Sequence, residues 1–380
     1  MSPKHLSDSG TLFSYGGDPA VIATRGEIDR VMAELGGLEA WLRSQIELPD
    51  FAADPAARFR LAIELPPILE RLSRIRDACG HAADSYFEGE VEISRELREG
   101  PVISVAALAA GISGLGSAFG VFGETKVSAD MVAVVGGVQP PSSIGTLAMR
   151  LTELGTLVGD ANDGAILRIE KFREPASPVS AAEGLISVHE ARYVVYIPGT
   201  QEWGPKPGTN PFDLTSNLGA ISKTGFAGSE RAVALAMQQA GISPDSPVLF
   251  VGHSQGGMIA ANLSRGFSNS RVLTFGSPIG AQVDQLKATT LSVEHVDDPV
   301  PRLDARPNAL AANWVTVRQE FKGAGPLAQH EMKGYLRTAQ DIDLLATEPG
   351  LVKIRGEISS FAGSPEATGQ AFSFELKREP

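Results

Sequence analysis

The sequence predicts an α/β chain, a largely parallel sheet covered by helices, preceded by an N-terminal α-helical hairpin. Three observations carry this. After Gly164 short β-rich runs alternate with helical patterns, which requires crossover connections and hence parallel strands. Before Gly100 apolar residues recur at helical spacings. Between Pro247 and Ala261 the motif Gly252-His253-Ser254-Gln255-Gly256 stands between an apolar run and a helix of small residues, a strand–turn–helix setting.

The 380 residues are enough for two domains, and 43% hydrophobic with 21% charged residues implies a packed core. The net charge of −12 excludes a nucleic-acid partner, since phosphate binding needs a basic face. Cys79 is the only cysteine, so neither an intramolecular disulfide nor a zinc-thiolate cluster can form. Its place in an apolar helical series reads as a small core residue. The first ten residues, Met1 to Gly10, lack an apolar stretch, so the expectation is a cytoplasmic protein or one exported without a cleavable signal. Pro101 to Gly123 carries no charge and is long enough to span a bilayer. Its Gly, Ala and Ser content and missing basic flanks favour a buried or surface-docked segment over membrane contact.

Residues 1–100 read as a helical hairpin domain. Ile28, Met32, Leu35, Leu38, Leu42 and Ile46 form one amphipathic stripe. Leu61, Leu65, Ile68, Leu72, Ile75, Cys79, Ala82 and Tyr86 alternate steps of four and three, the seam of helices packed side by side. Pro66 and Pro67 start or kink the second helix, and Leu48 to Pro55 links the two. Residues 101–160 read as a Gly/Ala-rich connecting region, with Ser143 capping a short helix that runs to Leu157.

Residues 161–345 form the expected α/β domain. Candidate strands are Ile166–Phe172, Leu185–His189, Tyr193–Ile197, Val248–Val251, Val272–Phe275 and Leu291–His295; Ser229–Ala240 and Gln255–Phe267 read as helices. Residues 346–380 read as a closing β-hairpin, Val352–Phe361 and Ala371–Lys377, around Gly363-Ser364-Pro365.

A bare G-x-S-x-G is weak, but its setting after Val248–Val251 makes Ser254 a candidate nucleophile on a sharp turn, with Gly252 and Gly256 allowing strand and helix to approach. A serine hydroxyl needs a base, and the base needs an orienting acid. With the acid expected before the histidine and both after the serine, five of the six histidines drop out and His330 remains. His295 is among those set aside, because it precedes every well-placed aspartate. Val296-Asp297-Asp298-Pro299-Val300-Pro301 follows a predicted strand; the prolines favour Asp298 over Asp297, with Asp304 a third candidate. The oxyanion of an acyl-transfer intermediate needs backbone N–H donors. Gln255 supplies one, and the loop Pro198-Gly199-Thr200-Gln201 supplies the second, from Thr200 or Gln201.

Gly252-His253-Ser254-Gln255-Gly256-Gly257, Ile197-Pro198-Gly199-Thr200, Asp298-Pro299-Val300-Pro301 and His330 resemble class 3 (fungal-type) lipases. The chain is also similar to uncharacterised actinobacterial α/β hydrolases, through Tyr196-Ile197-Pro198-Gly199-Thr200-Gln201-Glu202-Trp203 and Asn210-Pro211-Phe212-Asp213-Leu214-Thr215-Ser216-Asn217-Leu218. The resemblance covers about Ile166 to Leu345 and implies an α/β-hydrolase domain that cleaves carboxylic esters with Ser254, Asp298 and His330, needing no metal or cofactor. Gln255 stands where lipase elbows usually carry leucine, so the lipid preference does not transfer with the fold.

The long segment Gln201–Lys223 follows the candidate oxyanion loop. Trp203, Phe212 and Leu214, with His253 beside the nucleophile, are its expected substrate-binding residues, as a lid or acyl-binding wall. The bland alternative is a loop packed on the sheet. Tyr86-Phe87-Glu88-Gly89-Glu90 after the helical hairpin resembles type VII secretion substrates, without their W-x-G turn, and implies a secretion partner or, as a coiled-coil module, a dimer. Two other functions stay open: acyl transfer or thioester hydrolysis on the same fold, and an interaction module with an inactive hydrolase fold.

Overall fold

The computed structural model describes residues 12–17, 25–47, 65–74, 76–77, 126–156, 164–175, 191–202, 208–213, 228–282, 285–304, 306–309, 311–321 and 326–379. The chain divides into two compact units, Ala20–Ala106 and Met1–Pro19 with Ala107–Pro380.

The larger unit is built on one sheet of β1 (Leu12–Gly16), β2 (Val127–Gly136), β3 (Ala165–Arg173), β4 (Arg192–Ile197), β5 (Val248–His253), β6 (Ser270–Phe275), β7 (Thr289–His295), β8 (Trp314–Gln319) and β9 (Thr368–Arg378). Their spatial order is β1-β8-β7-β6-β5-β4-β3-β9-β2. Strands β4 to β8 are parallel, with Val195 beside Phe250, Leu273 beside Leu291 and Ser292 beside Thr316. The flanking strands β1, β3, β9 and β2 run antiparallel to their neighbours.

The parallel strands are covered on both faces, which is why Val248–Val251 is apolar without alternation. Val195, Ile197, Phe250 and Val272 pack with helices α3 (Gly228–Gln239) and α4 (Gln255–Ser264) on one side. Val194, Tyr196, Leu249, Val251, Phe275 and Val293 pack on the other, with α2 (Ile144–Thr156), α6 (Met332–Leu345) and α7 (Pro349–Ser359). Crossovers returning to the same end make the parallel strands finish at one edge, so the loops after β4, β5 and β7 share it.

The helix after Ser143 forms as expected: the Ser143 hydroxyl accepts the Thr146 N–H at 3.0 Å, and Asp343 of α6 accepts the N–H groups of Ile144 and Gly145 at 3.1 and 2.8 Å. Other expectations are corrected. Residues 101–160 do not merely connect, because they supply β2 and α2 to the sheet. Residues 346–380 are not a hairpin: Val352–Phe361 lies mostly in helix α7, and β9 inserts alone between β3 and β2. Val352 and Ile354 alternate with Lys353 and Arg355 like a strand, but Leu351, Ile354 and Ile358 are the buried residues and Val352 is exposed, a helical period. Strands β1 and β8 were not expected; β1 comes from the first hundred residues and pairs with β8 from Leu12–Gln319 to Gly16–Val315. The expected strand Leu185–His189 lies outside the described residues.

In the smaller unit, α1 (Arg25–Glu47) and the helical residues 65–74 and 76–77 are described. Glu39 receives Arg43 at 2.7 Å and Arg76 at 2.6 Å, tying the two segments together. Leu65 is buried, whereas Leu38 of the stripe and Ile68 of the seam are exposed. The link Leu48–Pro55, Cys79, Tyr86–Glu90 and Pro101–Gly123 lie outside the described residues. Among the described residues no helix is long and apolar enough to cross a membrane.

Candidate functional site

Ser254 follows β5 directly and opens α4. Its φ of 53° is the only positive value at a non-glycine position among the described residues. A side chain in that region costs of order 1–3 kcal/mol and persists only where the surroundings fix it. Two contacts do so: the Ser254 N–H donates to Phe275 O at 2.9 Å, and Gly257 N–H donates to Ser254 O at 3.1 Å. A Cβ on Gly252 would enter the backbone of Gly256, and one on Gly256 would strike the carbonyl oxygens of Ile197 and Pro198. The two glycines therefore let strand, turn and helix occupy one another's van der Waals envelope.

The loop after β4 reaches the same place. A Cβ on Gly199 would lie 2.8 Å from His253 Nδ1 and 3.2 Å from Ser254 Cβ. Beyond it, the Thr200 hydroxyl donates to Gln255 Oε1 at 3.4 Å, and Gln255 Nε2 donates to the Ser229 hydroxyl at 3.3 Å. The buried Gln255 side chain thus bridges the loop after β4 to α3. Its backbone N–H belongs to the first turn of α4, where N–H groups have no partner inside the helix.

After β7, Asp298 is fully buried and its carboxylate takes three donors. His330 Nδ1 lies at 2.7 Å and the Tyr335 hydroxyl at 2.6 Å from Oδ2, and the Val300 N–H at 2.9 Å from Oδ1. Burial acts to raise the Asp298 pKa, but these donors outweigh it and hold the carboxyl below its usual range. Burial and the Asp298 charge push the Tyr335 phenol well up, so it stays protonated as a donor. Asp297 is exposed and makes no part of this cluster.

Asp304 is occupied elsewhere, accepting the Ala281 N–H at 2.8 Å and the Arg306 N–H at 3.3 Å. Burial, with Glu294 nearby, pushes its carboxyl from 3.8 up to about 6 against those N–H donors. The folded protein therefore holds more protons than the unfolded chain in that window; the stabilising contribution is full below the unfolded value and declines as pH rises through the folded one. Relative to wild type, Asp304→Asn should gain melting temperature as pH rises from about 3 to about 7, the interval that brackets the unfolded and folded values of the carboxyl. A difference independent of pH would refute that origin.

His330 sits between α5 (Pro326–Gln329) and α6. Its ring packs against that of His253 with centroids 4.7 Å apart, and its carbonyl lies 2.9 Å from His253 Nε2. The structure thus places His330 against the residue preceding Ser254 while its Nδ1 meets Asp298. His330 Nε2 is buried and makes no hydrogen bond to the described residues, including Ser254. Such contacts often close only around a bound substrate.

Of the expected substrate-binding residues, His253 faces His330, and its pKa is lowered to about 3 by burial and by His330, so the ring is neutral. Phe212 is corrected: it is fully buried in the core with α3 and α4, and its carbonyl accepts the N–H groups of Gln201 and Glu202 at 2.8 and 3.1 Å. A side chain without exposure packs the loop onto the sheet and cannot line an open wall. Trp203 and Leu214 lie outside the described residues. Sequence reasoning missed Tyr335 and His295; Tyr335 is 37 residues from Asp298, and no local spacing signals such a contact.

No protein-family model matches the chain, and a search of curated proteins gives no match.

Proposed function

We propose that the larger unit is an α/β-hydrolase domain that cleaves carboxylic esters through an acyl-enzyme. The observation that supports this best is the convergence of the segments that follow four strands: Ser254 at positive φ after β5, Gly199 and Thr200 after β4, Asp298 after β7, and its partner His330 after β8. In the proposed reaction Ser254 Oγ attacks the ester carbonyl as His330 Nε2 takes its proton. The N–H groups of Gln255 and Thr200 receive the charge that develops on the carbonyl oxygen. Collapse breaks the bond to the alkoxy group, which leaves with the proton from His330, and water repeats the sequence on the acyl-serine. Asp298 keeps the proton of neutral His330 on Nδ1, leaving Nε2 free to act as base.

The test is covalent labelling with a fluorophosphonate probe. Wild-type protein should be labelled, and Ser254→Ala should not. Absence of label in the folded wild type would overturn the reading in favour of a non-catalytic module.

A further inference from the structure

Two histidines outside the proposed Ser–His–Asp set hold the segment that carries His330. His253 Nε2 lies 2.9 Å from the His330 carbonyl, and His295 Nδ1 lies 2.7 Å from the Gln329 carbonyl. A carbonyl only accepts, so both ring nitrogens carry the hydrogen. Both rings are neutral, since burial lowers the pKa of each. His295 Nε2 is then an acceptor, and the Thr338 hydroxyl of α6 donates to it at 3.0 Å, which sets the same tautomer from the other side. His295 is also gripped face to face, with the Tyr335 ring at 3.9 Å and the Phe321 ring at 4.7 Å. Gly334 permits this closeness, because a Cβ there would sit 3.0 Å from His295 Cε1.

The placement is not that of ordinary core filling. Gln329 ends the four-residue helix α5, where carbonyls lack helical partners. His253 immediately precedes Ser254, and His295 ends β7, three residues before Asp298. One ring therefore ties the base segment to the nucleophile's turn, and the other ties it to the acid's strand. We infer that His253 and His295 are positioning residues that clamp consecutive carbonyls, Gln329 and His330, and so fix the His330 imidazole between Ser254 and Asp298. This rests on the proposed hydrolase reading, because it assigns a purpose to where His330 is held.

The test pairs donor-keeping with donor-free replacements in the full chain. His253→Gln and His295→Asn retain an N–H at about the same reach, whereas His253→Leu and His295→Leu do not. Each leucine variant should lower kcat by about 10-fold to 100-fold with KM changed less than about twofold, and the amide variants should recover most of the loss. Hydrogen exchange of a peptide spanning 326–334 should quicken by about 10-fold in the leucine variants and much less in the amide ones. Thr338→Val, the mildest change, should cost kcat roughly threefold and decides the His295 arm if His295→Leu does not fold. Folded leucine variants with wild-type kcat, or with unchanged exchange at 326–334, would overturn the clamp. If wild type shows no Ser254-dependent turnover, the hydrolase reading fails by itself, and hydrogen exchange still decides whether the clamp exists.

Discussion

Ester turnover should fall about 10⁴-fold when Asp298 becomes asparagine. The carboxylate now accepts from His330, Tyr335 and the Val300 N–H together. An amide has one acceptor oxygen in place of two, and where that oxygen keeps the Val300 N–H its NH2 group faces His330 and donates to Nδ1. His330 is then free to carry its proton on Nε2, the atom proposed as the base. The effect should appear in kcat with KM little changed, since the acid touches the histidine and not the ester. Asp297→Asn and Asp304→Asn serve as controls: the first is exposed, the second bonded to Ala281, and each should change kcat by less than about twofold. Tyr335→Phe removes one of three donors and keeps the ring stacked on His295, so roughly fivefold is expected. Comparable losses in all three aspartate variants would remove Asp298 from its assigned place.

The aspartate also marks how far local sequence reaches. The prolines after Asp298 favoured it over its neighbour, and the turn that follows β7, closed by the Asp298 N–H on the His295 carbonyl at 3.2 Å, leaves Asp297 exposed and Asp298 buried. Ser254 was legible for the same reason, since strand, glycine turn and small-residue helix are contiguous. What could not be read are partners brought from far along the chain. Strand β9 reaches β3 across some two hundred residues, with Leu167 opposite Phe374, and nothing in Thr368–Arg378 names that neighbour. His295 fell out of the sequence reading because it precedes the aspartates, a rule about the order of reacting groups that is blind to residues acting through a backbone carbonyl. The helix at Pro349–Ser359 was misread although its period was present, because four alternating residues from Val352 to Arg355 imitate a strand.

Gly256→Ala should destabilise the protein by about 3 kcal/mol in urea unfolding, near the upper end for adding one methyl group to a packed site. The added carbon meets the carbonyl oxygens of Ile197 and Pro198, which are backbone at the end of β4 and cannot rotate away. Gly356→Ala is the matched control: it lies inside α7 with nothing within 4 Å of a new Cβ, so the better helix former should add about 0.5–1 kcal/mol. Opposite signs for one chemical change would locate the cost in the approach of α4 to β4 and not in glycine as such. The collision has a second consequence, because Ile197 and Pro198 lead directly into Gly199 and Thr200. Relief by moving that loop carries the proposed Thr200 donor away from the Ser254 turn. The folded fraction of Gly256→Ala should therefore lose about 10²-fold to 10³-fold in kcat, the cost of one misplaced oxyanion donor. A stable Gly256→Ala protein with full turnover would show that the loop after β4 takes no part in the reaction.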